Sequence, residues 1–138
     1  MGKRIIQQAR GHGSFTYRVR KRAFRYRLQY PRELKGEGEV IKLINSPGHS
    51  APLAKIKYSG GIFYIPAFRG MVEGQKISFE GKEIKDGNIL ALGKIPVKTL
   101  LYCIESRPGD GGKFIKSGGN SASISKVIEE DIFVLMPS

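Results

Sequence analysis

Soft metal ligands are scarce in this chain, which has one cysteine, Cys103, and two histidines, His12 and His49. A disulfide within the chain is excluded, and a Cys/His metal centre would need ligands that are not there. Cys103 lies in the apolar run Leu100-Leu101-Tyr102-Cys103-Ile104 and reads as a small buried hydrophobe. Long apolar runs are missing as well. None approaches the length of a membrane-spanning helix. The start Lys3-Arg4-Ile5-Ile6-Gln7-Gln8 lacks the apolar core of a secretory signal. No membrane association is expected, and the cytoplasm is the default location.

Acidic residues are scarce at one end only. Residues 1–35 hold eleven Lys or Arg against a single acid, Glu33, a net of +10. Residues 36–138 hold thirteen against eleven, a net of +2, which completes the total of +12. The chain therefore reads as a cationic arm on a nearly balanced body. That balance points to a polyanionic partner: nucleic acid, an acidic membrane or an acidic protein. An extended basic arm is a form that threads into folded nucleic acid.

Helical spacing is also missing from the body. Past residue 36 no ten-residue stretch shows it, and short apolar runs alternate with Gly and Pro turns, the pattern of small all-β barrels. The spacing predicts strands over residues 40–44, 53–58, 62–65 and 75–79, with Ser59-Gly60-Gly61 as a hairpin turn. Residues 80–88 read as a polar loop. A second group of strands is expected over residues 89–92, 95–97, 98–104, 114–115, 122–128 and 132–136, with Glu129-Glu130-Asp131 as a charged turn. In the arm, residues 4–9 suit a short helical turn, and residues 17–22 and 24–27 alternate like extended chain.

The arm interleaves Phe15, Tyr17, Phe24, Tyr26 and Tyr30 with Arg10, Arg18, Arg20, Lys21, Arg22, Arg25 and Arg27. Guanidinium groups contact phosphate in a fork and stack on bases, and rings stack on unpaired bases. A solvated tail is the plain alternative; the dominance of Arg and the interleaved rings favour RNA. The loop Pro108-Gly109-Asp110-Gly111-Gly112-Lys113-Phe114 has neither the Ser/Thr after Lys nor the following helix of a nucleotide-binding loop. It is either a hairpin loop needing positive φ or a place where backbone approaches RNA, with Lys113 and Lys116 reaching phosphates. His49, in the turn Ser46-Pro47-Gly48-His49-Ser50-Ala51-Pro52, has no nucleophile-and-acid constellation around it in sequence. It is either a plain exposed loop residue or an RNA contact. No carboxylate pair signals acid–base chemistry, and no cofactor or small-molecule substrate is indicated.

Several runs resemble the second protein of the large ribosomal subunit in its archaeal and eukaryotic form. They are Gly2-Lys3-Arg4-Ile5, Gln8-Ala9-Arg10-Gly11-His12-Gly13-Ser14, Ser50-Ala51-Pro52, Gly87-Asn88-Ile89-Leu90, Lys94-Ile95-Pro96-Val97 and, most specifically, the run from Glu105 to Phe114. The resemblance covers the whole chain. It implies an all-β fold of three parts: a basic extended arm at residues 1–35, an OB-fold-like barrel at 36–92 and an SH3-like barrel at 93–138. It also implies that the family continues beyond residue 138, leaving the second barrel incomplete here. The implied function is a structural, non-enzymatic one: a primary ribosomal RNA binder near the peptidyl-transferase centre, with ribosomal RNA and neighbouring ribosomal proteins as partners. The candidate contacts are Lys3, Arg4, Arg10, His12, Arg18, Arg20, Lys21, Arg22, Arg25 and Arg27 in the arm. In the body they are His49, Arg69, Arg107, Lys113 and Lys116. His49 and Lys116 stand where the family usually has Arg, and neither side chain makes Arg's bidentate fork. Competing classes are a free single-strand-binding module or translation factor, which would show exposed aromatics on the barrel face, and a small enzyme.

Overall fold

Apolar–polar alternation becomes two antiparallel sheets in the computed structural model, which describes residues 2–138; Met1, the first residue of the arm, lies outside them. The first sheet holds β1 (Glu37–Ile44), β2 (Leu53–Tyr58), β3 (Gly61–Pro66) and β4 (Lys76–Ser78) in the order β3-β2-β1-β4. Inward-facing strand residues Val40, Ala54, Ile56, Phe63, Ile65 and Ile77 form its core with Met71 and Phe79 from the adjoining loops. Successive side chains in a strand point to opposite faces, so Lys55 and Lys57 face away from that core. The Ser59-Gly60 turn joins β2 to β3, as the sequence predicts. A register shift between Val40 and Lys42 bulges β1 and pushes Ile41 outward, which sharpens the local twist.

The second sheet is smaller: β5 (Leu100–Leu101), β6 (Ala122–Ile128) and β7 (Asp131–Leu135), in the order β5-β6-β7. Its buried apolar residues are few, chiefly Cys103, Ala122 and Ile124. Leu100 is 72% and Leu135 64% exposed. The all-β class is borne out, and so is the expected burial of Cys103.

Several expected strands are absent. Residues 89–92 and 95–97 form loop and the 3-10 turn Leu92–Lys94. Ile89 is instead held by its own backbone, its N–H donating to the Ser78 carbonyl, and packs on the first core. Pro96 has no N–H to give a ladder. Of residues 98–104 only Leu100–Leu101 pairs as a strand, and Ile104 and Phe114 meet as an isolated bridge. The chain takes left-handed backbone at Lys98, Cys103 and Ile115, which breaks strand continuity there.

The arm is extended in part, as expected at Arg18 and Arg20, and short turns interrupt it. It carries one short helix, α1 (Ile6–Arg10), as expected, and then 3-10 turns at Phe15–Tyr17 and Lys21–Ala23. Its alternating Val and Phe have no sheet to pair with before residue 28, and Phe15 is 92% exposed. Without a partner strand, alternation alone does not hold β geometry.

Burial this unequal should appear in stability. Ile56→Ala, in the fully buried core of the first sheet, should cost about 2–5 kcal/mol in chemical unfolding. Leu135→Ala should cost about 0.5 kcal/mol or less. Amide exchange should protect residues 37–66 more strongly than residues 122–135; equal protection would contradict the unequal cores.

Candidate nucleic-acid interface

The arm's last third is fastened to the body by backbone. The Ala23 carbonyl accepts from the Gly48 N–H at 3.2 Å and from the Ser46 hydroxyl at 3.4 Å. Leu28 makes a parallel bridge to Tyr64, and the Gln29 N–H donates to the Tyr64 carbonyl at 3.2 Å. The Tyr30 N–H donates to the Gly111 carbonyl at 2.9 Å. Two glycines make this approach possible. A Cβ on Gly48 would lie 2.7 Å from the Ala23 carbonyl oxygen, and one on Gly111, whose φ is 89°, would collide with the Gln29 side chain. The Tyr30 ring packs on the first core, 6.4 Å from the Phe63 ring. Burial and the neighbouring Cys103 thiol push its hydroxyl well above the ordinary tyrosine range. Burial also pushes the Cys103 thiol up, so it stays protonated at neutral pH and is a poor nucleophile.

This seating brings together side chains far apart in sequence. Phe24, Tyr26, Arg27 and Leu28 from the arm, His49 from the Ser46–His49 turn and Lys116 from beyond the glycine loop line one depression of about 430 Å³. The half-buried His49 ring meets Phe24 edge-on at 5.6 Å, and its Nδ1 lies 2.9 Å from the Ser46 hydroxyl oxygen. The Ser46 hydroxyl lies between the Ala23 carbonyl and the His49 ring. Nε2 takes no part in that contact. Ser46, a buried residue, thus fixes both the arm and the histidine. No local pattern in the sequence marks Ser46 for this role.

The remaining candidates are spread more widely. Lys3, Arg18, Arg20, Lys21 and Arg22 are exposed along the arm. Arg4 donates to His12 Nε2 at 2.8 Å, while the Arg10 and Arg25 guanidiniums lie 5.8 Å from the Tyr17 and Tyr26 ring centres. Arg69, in the turn after β3, and Arg107 and Lys113, on the glycine loop, are exposed but do not line the depression. Among the described residues one ion pair forms, Lys85 with Glu83, so none of these cations is neutralised by a carboxylate.

The glycine loop is built from within. The Glu105 carboxylate accepts from the N–H groups of Gly109 (3.2 Å) and Gly111 (3.0 Å). Asp110 accepts from the Ser106 hydroxyl (2.6 Å) and from the N–H groups of Ser106, Arg107 and Gly112. Positive φ at Gly109, Gly111 and Gly112 makes this wrap possible. Its inward N–H groups are occupied by carboxylates and are not free to cradle a phosphate. The Ser106 hydroxyl, and then the backbone donors, hold the Asp110 carboxyl down at about 2.

An all-β body with an unneutralised cationic arm seated on it is the class that this geometry defines. Residues 3–79 match the family model "Ribosomal Proteins L2, RNA binding N-terminal domain", and residues 85–138 match the C-terminal domain of the same family. All of the chain aligns with the large ribosomal subunit protein uL2 of Pyrobaculum neutrophilum at 39% identity, covering 58% of that protein. The uL2 proteins of Hyperthermus butylicus and Methanococcus maripaludis are each 42% identical to it, with 60% and 61% of their lengths covered. The chain belongs to the L2 family of ribosomal proteins, and it spans about three-fifths of the length of these relatives.

The carboxylate-wrapped loop should respond to acid late. A carboxyl whose folded value lies below its ordinary one, about 3.9, contributes stability above that ordinary value. It loses that contribution as pH falls through the folded value. An NMR titration of Asp110 should therefore show a midpoint near 2, and Asp110→Ala should speed amide exchange at Ser106, Arg107 and Gly112. A midpoint near 4 would mean the wrap is not formed in solution.

Proposed function

We propose that this chain is a structural constituent of the large ribosomal subunit, in the cytoplasm, where it binds ribosomal RNA and adjoins neighbouring ribosomal proteins. In that setting it helps organise RNA near the peptidyl-transferase centre and so supports subunit association, tRNA binding and translation. No residue here is given a catalytic role, because the peptide bond is made by RNA. The observation that carries the reading is the depression between arm and body. It has aromatic walls and three side chains able to face phosphate, Arg27, His49 and Lys116, drawn from three separate segments. Such a site suits one unstacked base with its flanking phosphates. Residues 1–35, 36–92 and 93–138 serve in this reading as arm, OB-like barrel and SH3-like barrel, with residues 23–30 of the arm clamped to the body.

A free single-strand-binding module is less well supported. It would present a set of bare rings on the first sheet, whereas Phe63 and Phe79 are buried.

The test compares the full chain with a chain starting at residue 23, titrating binding to deproteinised large-subunit RNA over salt. Residues 3–22 hold seven Lys or Arg. If they meet phosphates, the log–log slope should fall by about 5–6 units in the shorter chain. An unchanged slope would move the phosphate contacts onto the body. Failure of the full chain to stay with large subunits through a high-salt wash would refute the ribosomal assignment.

A further inference from the structure

Beyond the depression, the outer face of the first sheet carries a row of residues that no motif singled out. Register sets Lys42 opposite Lys55 and Lys55 opposite Tyr64, across β1, β2 and β3. Residues directly opposite in neighbouring antiparallel strands share a face. Lys55 lies between the core residues Ala54 and Ile56, so that face is the outer one. The β1 bulge next to Lys42 leaves its side chain exposed. The row continues into the arm, since the Tyr64 ring meets Tyr26 and the Arg25 guanidinium lies over Tyr26. Tyr26 is also a wall of the depression.

The row is electrostatically unsatisfied. Like charges directly opposite in a sheet destabilise it, and neither lysine has a carboxylate partner among the described residues. The nearby acids are otherwise placed. Glu39 sits opposite Lys57 and Lys76, and a Glu73 oxygen accepts from the Leu43 N–H at 3.0 Å. Two strand spacings of about 4.8 Å each separate Lys42 from Tyr64, a reach suited to consecutive backbone units of one nucleic-acid strand.

We propose that Lys42, Lys55, Tyr64 and Tyr26 form a second RNA contact. The strand that places a base in the depression continues over the two tyrosines and sets its phosphates against the paired lysines. This rests on the ribosomal RNA reading above and extends that interface from the arm onto the barrel's outer face.

The test is Lys42→Gln/Lys55→Gln in the full chain, with Lys82→Gln/Lys94→Gln as a charge-matched control. Both are titrated over salt with deproteinised large-subunit RNA. The row predicts a slope lower by about 1.4–1.8 units in the first variant and little change in the control. Its free-state melting temperature should be unchanged or raised, because the like-charge pair is relieved. Equal slope losses in both variants would mean diffuse charge and overturn the proposal. A lowered melting temperature accompanying weaker binding would assign the lysines to the fold and overturn it as well. If the slope stays intact in Lys42→Gln/Lys55→Gln but falls on removing residues 1–22, the row is refuted while the RNA reading stands. If the unaltered chain shows no salt-dependent binding to that RNA, the reading itself fails.

Discussion

The seating of residues 23–30 across the body is the interaction on which the site depends. Four of the six side chains lining the depression belong to this segment, so the site exists only while the segment is clamped. The clamp is mostly backbone: the Ala23 carbonyl in the Ser46–His49 turn, the Leu28–Tyr64 bridge, and the Tyr30 N–H on Gly111. Backbone clamping leaves the side chains of Arg25 and Arg27 unspent. Tyr30 does more than hold the arm, because it packs on the core of the first sheet while lying beside Cys103 of the second half. The two sheets are tied again where the Gly118 N–H donates to the Ser50 hydroxyl at 2.9 Å. Arm, first sheet and second half thus meet at one small area.

Three of the body's acids are turned to backbone and not to the arm's charge. Glu105 and Asp110 wrap the glycine loop, and Glu73 receives the Leu43 N–H. Each accepts backbone hydrogen bonds instead of pairing with Lys or Arg. A carboxylate occupied by N–H donors inside a turn contributes to local order but little to neutralising a cation elsewhere. The surface therefore presents positive charge that a folded chain of this composition could have masked. Repulsion among these cations works against compactness in the free protein, and a polyanion relieves it.

What was legible in the sequence was whatever depends on local pattern or on charge totals. Lys55 and Lys57 alternate with Ala54, Ile56 and Tyr58, and this located β2. Ser59-Gly60 marked the turn, and the single acid among residues 1–35 marked the arm. The failures were of a different kind. Residues 89–92 and 95–97 are apolar enough for strands, but Ile89 found its partner in the Ser78 carbonyl and Pro96 had no donor to offer. Residues 17–22 alternate correctly yet have no neighbouring strand, so they form no ladder, and the extended backbone at Arg18 and Arg20 lies between 3-10 turns. The site was legible as a roster of cations but not as a constellation. Nothing in the spacing of Arg27, His49 and Lys116 shows that they converge, because the convergence is made by Ser46, Gly48 and Gly111, whose part is tertiary.

That convergence changes how the site is to be understood chemically. Among the six lining residues, Arg27 alone carries a planar fork able to hold a phosphate by two parallel hydrogen bonds. Lys116 acts as a point charge, and His49, tied to Ser46 through Nδ1 and edge-on to Phe24, presents a single ring nitrogen with fixed direction. One fork, one point charge and one directed ring nitrogen cannot grip a phosphate symmetrically. They discriminate by position. In the proposed RNA interface an anionic group suits Arg27 and Lys116. Aromatic walls at Phe24 and Tyr26 add surface against which a base can lie flat. In the proposed interface the cations exposed along the arm would supply the long-range attraction for RNA. There the clamped depression, held by neutral backbone contacts that salt does not screen, is the part that would select local RNA shape.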